Sequence, residues 1–389
     1  MHGFRFSFVC PCIVATAGLL QYVQLYSVLD VTCAFVKSIL QFNEEPNVEG
    51  VVAAGALLAL LSGAMNGLFT LPMRFLGRWS WENVWAVFIV GACLLLPVVI
   101  VTAAPGSWDV LSHAPRHAMA IALGTGFAWG FGAVMFGQSV SAIGIALANT
   151  FVLAISSALG SLIPMLLLTP EKIHERAGVA IFSGIAVEIV GIMLCGRAGM
   201  MRERDASKDA ALRGNLVGKA RPLSVVLLLV VGSGLLSAVF NVGFALAHPI
   251  SAYGQRRGLT EFASTNLIWI LMLVGGAVSN LGFCGYLLIK NRSVHKFVQP
   301  GGAKLYGFGM VMALLWGGSI FVYGAAAPKL GALGASIGWP LSLATGLLVA
   351  NLVGLVLGEW RGVPKGTLGW MSSGIAVLIV AIVILSKAS

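Results

Sequence analysis

Charge is what this chain has least of. Only 10% of its 389 residues are Asp, Glu, Lys or Arg, and 58% are hydrophobic, whereas soluble domains are about a quarter charged. That balance excludes a water-soluble globular domain. Acidic residues are scarcer still, 14 against 24 basic ones. HExxH and a Walker lysine loop are missing, and no paired carboxylates at helical spacing lie inside the apolar runs. The chain is therefore not expected to be an enzyme or to carry its own ATPase, and any pumping must draw on a gradient or a partner. The six cysteines form neither a disulfide framework nor a metal-ligand spacing. Cys93, Cys195 and Cys284 stand singly in apolar runs, where a free thiol acts as a small hydrophobe. The Cys10-Pro11-Cys12 run has no partner motif. No metal and no cofactor are expected. The alternating ten-residue pattern of a membrane β-barrel is also absent.

Long charge-free runs are what the chain does have. Ten of them fall at about 51–72, 84–104, 118–138, 143–168, 178–196, 223–247, 263–289, 305–326, 330–357 and 367–386. A helix needs about 20 residues to cross roughly 30 Å of hydrocarbon, and each run is near or above that length. The third and fourth share one uncharged stretch from Ala118 to Pro170, too long for one helix, and the turn is expected near Ser139 to Ala142. The basic residues sit between the runs. Fifteen lie on the loops after runs one, three, five, seven and nine, and nine on the other side. By the positive-inside pattern this places the central linker in the cytoplasm and both ends of the ten-run core outside. The net charge of +10 thus speaks for orientation in a cell (inner) membrane and not for a nucleic-acid partner. The partners implied are the lipid bilayer and a small molecule; the sequence leaves the oligomeric state open.

The chain also repeats itself. Trp129, Gly130, Gly137 and Gly144 return with the same spacing as Trp316, Gly317, Gly324 and Gly331, 187 residues on. Leu61, Ser62 and Asn66 return as Leu236, Ser237 and Asn241, 175 residues on. Two echoes in the same order at similar offsets indicate a duplicated unit. The halves are 51–196 and 223–389, separated by the basic linker 197–222. Five runs per half is odd, so the second half must enter the membrane from the opposite side. The expected fold is an all-α polytopic membrane protein, ten transmembrane helices as two inverted five-helix repeats, a plan that recurs in secondary transporters with a midplane site. Residues 1–50 stand outside the repeat. Phe6 to Leu29 is uncharged, and three readings fit it: an eleventh span, a targeting segment, or sequence ahead of the true start.

Polar residues inside spans are costly in lipid and face the bundle interior or water. Ser62 and Asn66 lie four apart, on one helix face, and Ser237 and Asn241 repeat them. They offer donors and acceptors for a neutral polyol, or hydrogen bonds between helices. Trp129 and Trp316 lie inside their spans beside glycine, where an indole face can stack on a sugar or fill space, while the repeated glycines read as a close-packing stripe. Gln138, Asn149, Thr150, Trp339 and Tyr323 are further substrate candidates, with Asn280 below them, and Pro340 frees a carbonyl in mid-span. Glu188 is the one acidic residue well inside a span. Burial favours the neutral form of a carboxyl, which suits a group that binds and releases a proton. His248, before Pro249 at the end of the sixth run, is the rival proton carrier. Trp79, Trp81 and Trp85 read as an interfacial aromatic belt, with Glu82 near the positive end of the second helix.

From about Val52 onward the chain resembles the rhamnose–proton symporters, a branch of the drug/metabolite transporter superfamily. The resemblance rests on WSWENVW at 79–85, the WG at 129 with its following glycines, RAGMMRERD at 197–205, NLGFC at 280–284 and GLVLGEWRG at 354–362. It implies ten helices in inverted repeats and uptake of a deoxy-hexose driven by protons. It does not extend to Glu188 or His248, where the family pattern carries a small apolar residue and a lysine. The superfamily also often keeps its termini in the cytoplasm, opposite to the charge count. The leading reading is proton-coupled uptake of L-rhamnose or a similar neutral sugar by alternating access. The alternatives are a metabolite or drug exporter of the same superfamily and a membrane sugar sensor that transports nothing.

Overall fold

The computed structural model describes residues 48–77, 79–143, 145–212, 222–299 and 302–388. The expectations for residues 1–47, including Cys10 and Cys12, lie outside it, and Val51–Ser389 form one compact unit. Among the described residues ten helices are long and apolar enough to cross a membrane, and no strand occurs. In chain order they are α1 (Val48–Leu68), α2 (Trp81–Thr102), α3 (Arg116–Ile143), α4 (Ile145–Leu168) and α5 (Arg176–Leu212), followed by α6 (Leu223–Leu246), α7 (Glu261–Lys290), α8 (Gly302–Lys329), α9 (Gly334–Val356) and α10 (Lys365–Ser386). Short helical turns connect several of them, among them His248–Arg256 after α6.

Several boundaries differ from the sequence expectation. The turn placed at Ser139 to Ala142 is instead helix, since α3 runs to Ile143 and α4 begins at Ile145. Ser139 stays in the helix because its hydroxyl donates to the Met135 carbonyl 2.8 Å away, a local bond that satisfies it there. The fifth helix continues to Leu212, so the linker starts as helix. In α2 the stretch Val90–Leu95 widens into a π-helix just ahead of Pro97, which has no N–H to return to the preceding turn.

Lipid tails are as apolar as leucine, so close packing and internal hydrogen bonds must hold these helices together. Glycine supplies the packing where α3 crosses α7. A Cβ at Gly126 would sit 2.0 Å from the Met272 carbonyl oxygen, one at Gly275 2.3 Å from that of Leu123, and one at Gly130 1.8 Å from Ser279 Oγ. The expected stripe of Gly130, Gly137 and Gly144 is thus replaced by Gly126 and Gly130; Gly137 has only an ordinary contact with Trp81, and Gly144 is outside the described residues. In the second half Gly317 and Gly324 are close contacts, whereas Gly331 leaves the helix with φ +72°. The α3 helix also packs on α6, α4 on α6, and α5 along α10. Together α2, α3, α6, α7, α8 and α9 enclose an aromatic centre that includes Trp129, Phe240, Trp269, Trp316, Tyr323 and Trp339.

The first-loop tryptophans make contacts within the protein. Trp79 is buried and its indole N–H donates to the Lys296 carbonyl at 3.0 Å, Trp85 donates to Asn280 Oδ1 at 3.0 Å, and Trp81 stacks on Trp85. Buried Glu82 lies in the first turn of α2, where its Oε1 accepts from Ser293 Oγ at 2.6 Å and Asn291 Nδ2 at 3.1 Å. A partner loop at 291–298 draws this segment inward, and nothing local to 79–85 announces that loop.

Placing Val at Gly126 forces a side chain into backbone that cannot yield, at a cost of about 3 kcal/mol. Gly126→Val should sharply reduce the monodisperse fraction in size-exclusion chromatography of detergent-solubilised protein. Gly124→Val, on an exposed position where an added Cβ meets nothing within 4 Å, should leave the elution profile unchanged.

Candidate functional site

The two repeated tryptophans meet. Trp129 on α3 and Trp316 on α8 stack with ring centroids 5.1 Å apart and planes 12° from parallel. Phe240 tilts against Trp129 at 4.8 Å, and Phe88 stands edge-on to Trp316 at 5.6 Å. Trp129 can lie flat because it rests on Gly276, where a Cβ would fall 2.6 Å from its ring. Tyr323 and Trp339 continue the cluster with centroids 5.6 Å apart. The sequence candidates Trp129, Trp316, Tyr323 and Trp339 are therefore one assembly at the centre of the bundle.

The serine and asparagine candidates sit in joints between helices. Ser62 Oγ donates to the Ser319 carbonyl at 2.8 Å and shares a 3.0 Å hydrogen bond with Ser342 Oγ. Ser237 Oγ accepts from Ser156 Oγ at 3.0 Å. Fully buried Asn241 uses every polar atom it has: Nδ2 donates to the carbonyls of Gly160 at 2.7 Å and Ala335 at 2.9 Å, while Oδ1 accepts from the Tyr323 hydroxyl. Pro164 explains the first acceptor, since it has no N–H for the Gly160 carbonyl four residues earlier. Trp339 adds a bond from its indole N–H to the Ser156 carbonyl at 3.2 Å. Asn66 differs from its repeat partner, being half-buried and without a side-chain hydrogen bond among the described residues.

A cavity of about 260 Å³ lies beside Asn66, at the face where α1, α5 and α9 end and α4 begins. Its walls include Gly67, Thr70, Asn149, Thr150, Ile192, Leu347, Ala350 and Asn351, and its rim carries Arg202, Glu359 and Trp360. Asn149 makes no side-chain hydrogen bond among the described residues, and the buried Nδ2 of Asn351 has no partner. Arg202 and Glu359 form an ion pair at 3.3 Å, and the Arg202 guanidinium lies 4.7 Å above the Trp360 ring. Arg202 and Glu359 are neutral as a pair, and the remaining polar lining is chiefly the amides of Asn149 and Asn351 and the hydroxyls of Thr70 and Thr150. Such a surface matches hydroxyl groups better than a charged ligand.

Glu188 lies one turn deeper than the wall residue Ile192 and is fully buried. Ser157 Oγ, on α4, donates to its Oε2 at 2.6 Å, while Oε1 has no partner and no ion-pair partner occurs among the described residues. Its neighbours Gly184 and Gly191 pack on Leu385 and Leu378 of α10. His248 is exposed at the first position of the short helix after α6. Gln138 is half-buried within α3, and Asn280 accepts from the Trp85 indole and donates to the Gly276 carbonyl.

Sequence reasoning missed four residues. Asn266 is buried with neither amide atom partnered, as is the indole N–H of Trp269. The rule that polar residues inside spans matter would have found Asn266 and Asn351, and Pro164 has the same mid-span signature as Pro340.

Four of the five stretches that carried the family resemblance meet in space as two pairs. RAGMMRERD touches GLVLGEWRG through Arg202, Glu359 and Trp360, and WSWENVW touches NLGFC through Trp85 and Asn280. The family model for the L-rhamnose-proton symport protein (RhaT) matches residues 48–389. Among similar proteins, an L-rhamnose-proton symporter of Klebsiella pneumoniae (strain 342) is 25% identical over 338 residues, 85% of this chain and 96% of that protein. One from Cronobacter sakazakii is 26% identical over 344 residues, 86% and 97% of the two chains. One from Escherichia coli O17:K52:H18 is 24% identical over 347 residues, 86% and 97%. With ten helices able to span a membrane and a family match from the start of the first to the end of the last, the chain belongs to the L-rhamnose-proton symport protein family, a family of transporters and not of enzymes.

Proposed function

We propose that this protein is a secondary active transporter that carries L-rhamnose, or a similar neutral sugar, inward with protons across the cell (inner) membrane. Transport proceeds by alternating access of two inverted five-helix halves, 51–196 and 223–389, with the linker 197–222 in the cytoplasm. The observation that carries this reading is the cavity, whose lining includes the amide of Asn149, without a side-chain hydrogen bond among the described residues, and that of Asn351, whose Nδ2 has no partner. Amides supply donors and acceptors for sugar hydroxyls, and the indole faces offer a flat apolar surface for the C–H face of the ring. The names of the relatives support the sugar and the coupling ion, and no other cofactor enters this reading.

Glu188 supplies the proton step. Its carboxyl sits between α4 and α5 with one oxygen free, one turn beyond the cavity wall, so a proton can pass between it and water in the cavity when that face is open. His248, exposed at a helix start, lacks the enclosure that would tie its charge to the cycle.

In proteoliposomes with an alkaline interior, labelled L-rhamnose should accumulate above its external concentration and leak away when a protonophore collapses the gradient. Equilibration without accumulation would contradict coupling. Glu188→Gln should keep sugar exchange across the membrane while losing at least about tenfold of the gradient-driven accumulation, a change equivalent to roughly 1.4 kcal/mol of coupling. Asn149→Ala should raise the half-saturating sugar concentration about fivefold, the worth of one hydrogen bond near 1 kcal/mol. An unchanged value would return Asn149 to helix packing.

A further inference from the structure

The two helix joints described above are built alike but are in different states. On α6, Ser237 and Asn241 stand four apart and face Ser156 and Gly160, also four apart, on α4. On α1, Ser62 and Asn66 stand four apart and face Ser342 and Gly346, again four apart, on α9. The serine bond is made in both joints, at 3.0 Å each. The asparagine bond is made in only one. Asn241 Nδ2 donates to the Gly160 carbonyl at 2.7 Å, whereas Asn66 has no partner, although a carbon added at Gly346 would lie only 3.6 Å from its Nδ2. The unmade bond borders the cavity, since Gly67, Leu347 and Ala350 line it. The made bond lies toward the opposite face, where α6 ends and α9 begins.

We infer that the two Ser-x-x-x-Asn segments are alternating interlocks of the transport cycle. Asn241 holds the far face shut while the linker face is open. When the linker face closes, Asn66 engages Gly346, whose carbonyl keeps a second lone pair beyond its helical bond, and Asn241 lets go. Each closure makes one asparagine joint and opens the other, so the two states stay close in free energy and a bound sugar and proton can tip them. Both asparagines then act by positioning helices and not by binding sugar. The inference rests on the two-half transport reading above.

The test needs no sugar. Ala350, exposed in the cavity wall, is replaced by cysteine in a chain whose six native cysteines are removed, and the rate of maleimide labelling in proteoliposomes reports how often the linker face is open. Asn241→Ala should slow labelling about fivefold, as expected for losing a bond on the far face. Asn66→Ala alone should not slow it, and added to Asn241→Ala it should restore the parent rate. If Asn241→Ala fails to fold, Tyr323→Phe, which removes one bond to Asn241 and keeps the ring, should slow labelling by a smaller factor. Parent-rate labelling in the far-face variants, or slowing by Asn66→Ala, overturns the interlock. Because sugar is absent, a chain that labels as expected but fails to accumulate L-rhamnose would refute the sugar reading alone.

Discussion

Asn241 and the carbonyls it binds set the terms for the rest of the molecule. In hydrocarbon a buried amide has no water to turn to, so its two N–H groups and its oxygen must find partners in the protein. Asn241 finds all three, on α4, α8 and α9. One of these acceptors exists because Pro164 cannot complete the helical bond to Gly160. A helix break, which would be a fault on a lipid face, thereby becomes the point where four helices are tied. Hydrogen bonds between membrane helices average only about 0.6 kcal/mol, but a buried group left unpaired costs about 1–3 kcal/mol. Such a joint therefore adds little net stability while strongly disfavouring a half-open form. Two well-defined arrangements are favoured over a continuum.

The rest of the site lies around that joint. The stacked Trp129 and Trp316 bring two rings from distant parts of the sequence together, with Trp129 seated on Gly276. On one side of them Asn241 is fully satisfied. On the other, Asn66, Asn149 and Asn351 border or line a cavity with polar atoms to spare. Glu188 and Ser157 lie just beyond its inner wall. The amides of Asn149 and Asn351, proposed for the sugar, and the carboxyl proposed for the proton thus lie near the same opening, an arrangement in which occupancy of one can bias the other.

Much of this was legible in the sequence, for identifiable reasons. Ten helices could be counted because each must span the same thickness of hydrocarbon without charge. Trp129 and Trp316 could be paired because their spacing to glycine repeats, and that pairing led directly to the two rings in contact. For Ser62, Ser237 and Asn241 the sequence left helix joint and ligand contact as alternatives, because a polar residue facing inward looks the same in sequence whether it meets a helix or a ligand. The indole partners of Trp79 and Trp85 were not legible because Lys296 and Asn280 lie about two hundred residues away. The turn after α3 was set too early because Ser139 looks like a loop residue and instead bonds back into its own helix. Pro164 and Asn351 carried signals as strong as those of Pro340 and Asn149.

The claim on which the account depends most is that sugar and proton move together. It is tested most directly by adding L-rhamnose to weakly buffered proteoliposomes with no imposed gradient while recording the external pH. The account predicts a transient alkalinisation of the medium as sugar and protons enter together, abolished by a protonophore. Sugar entry with no change in pH would contradict it.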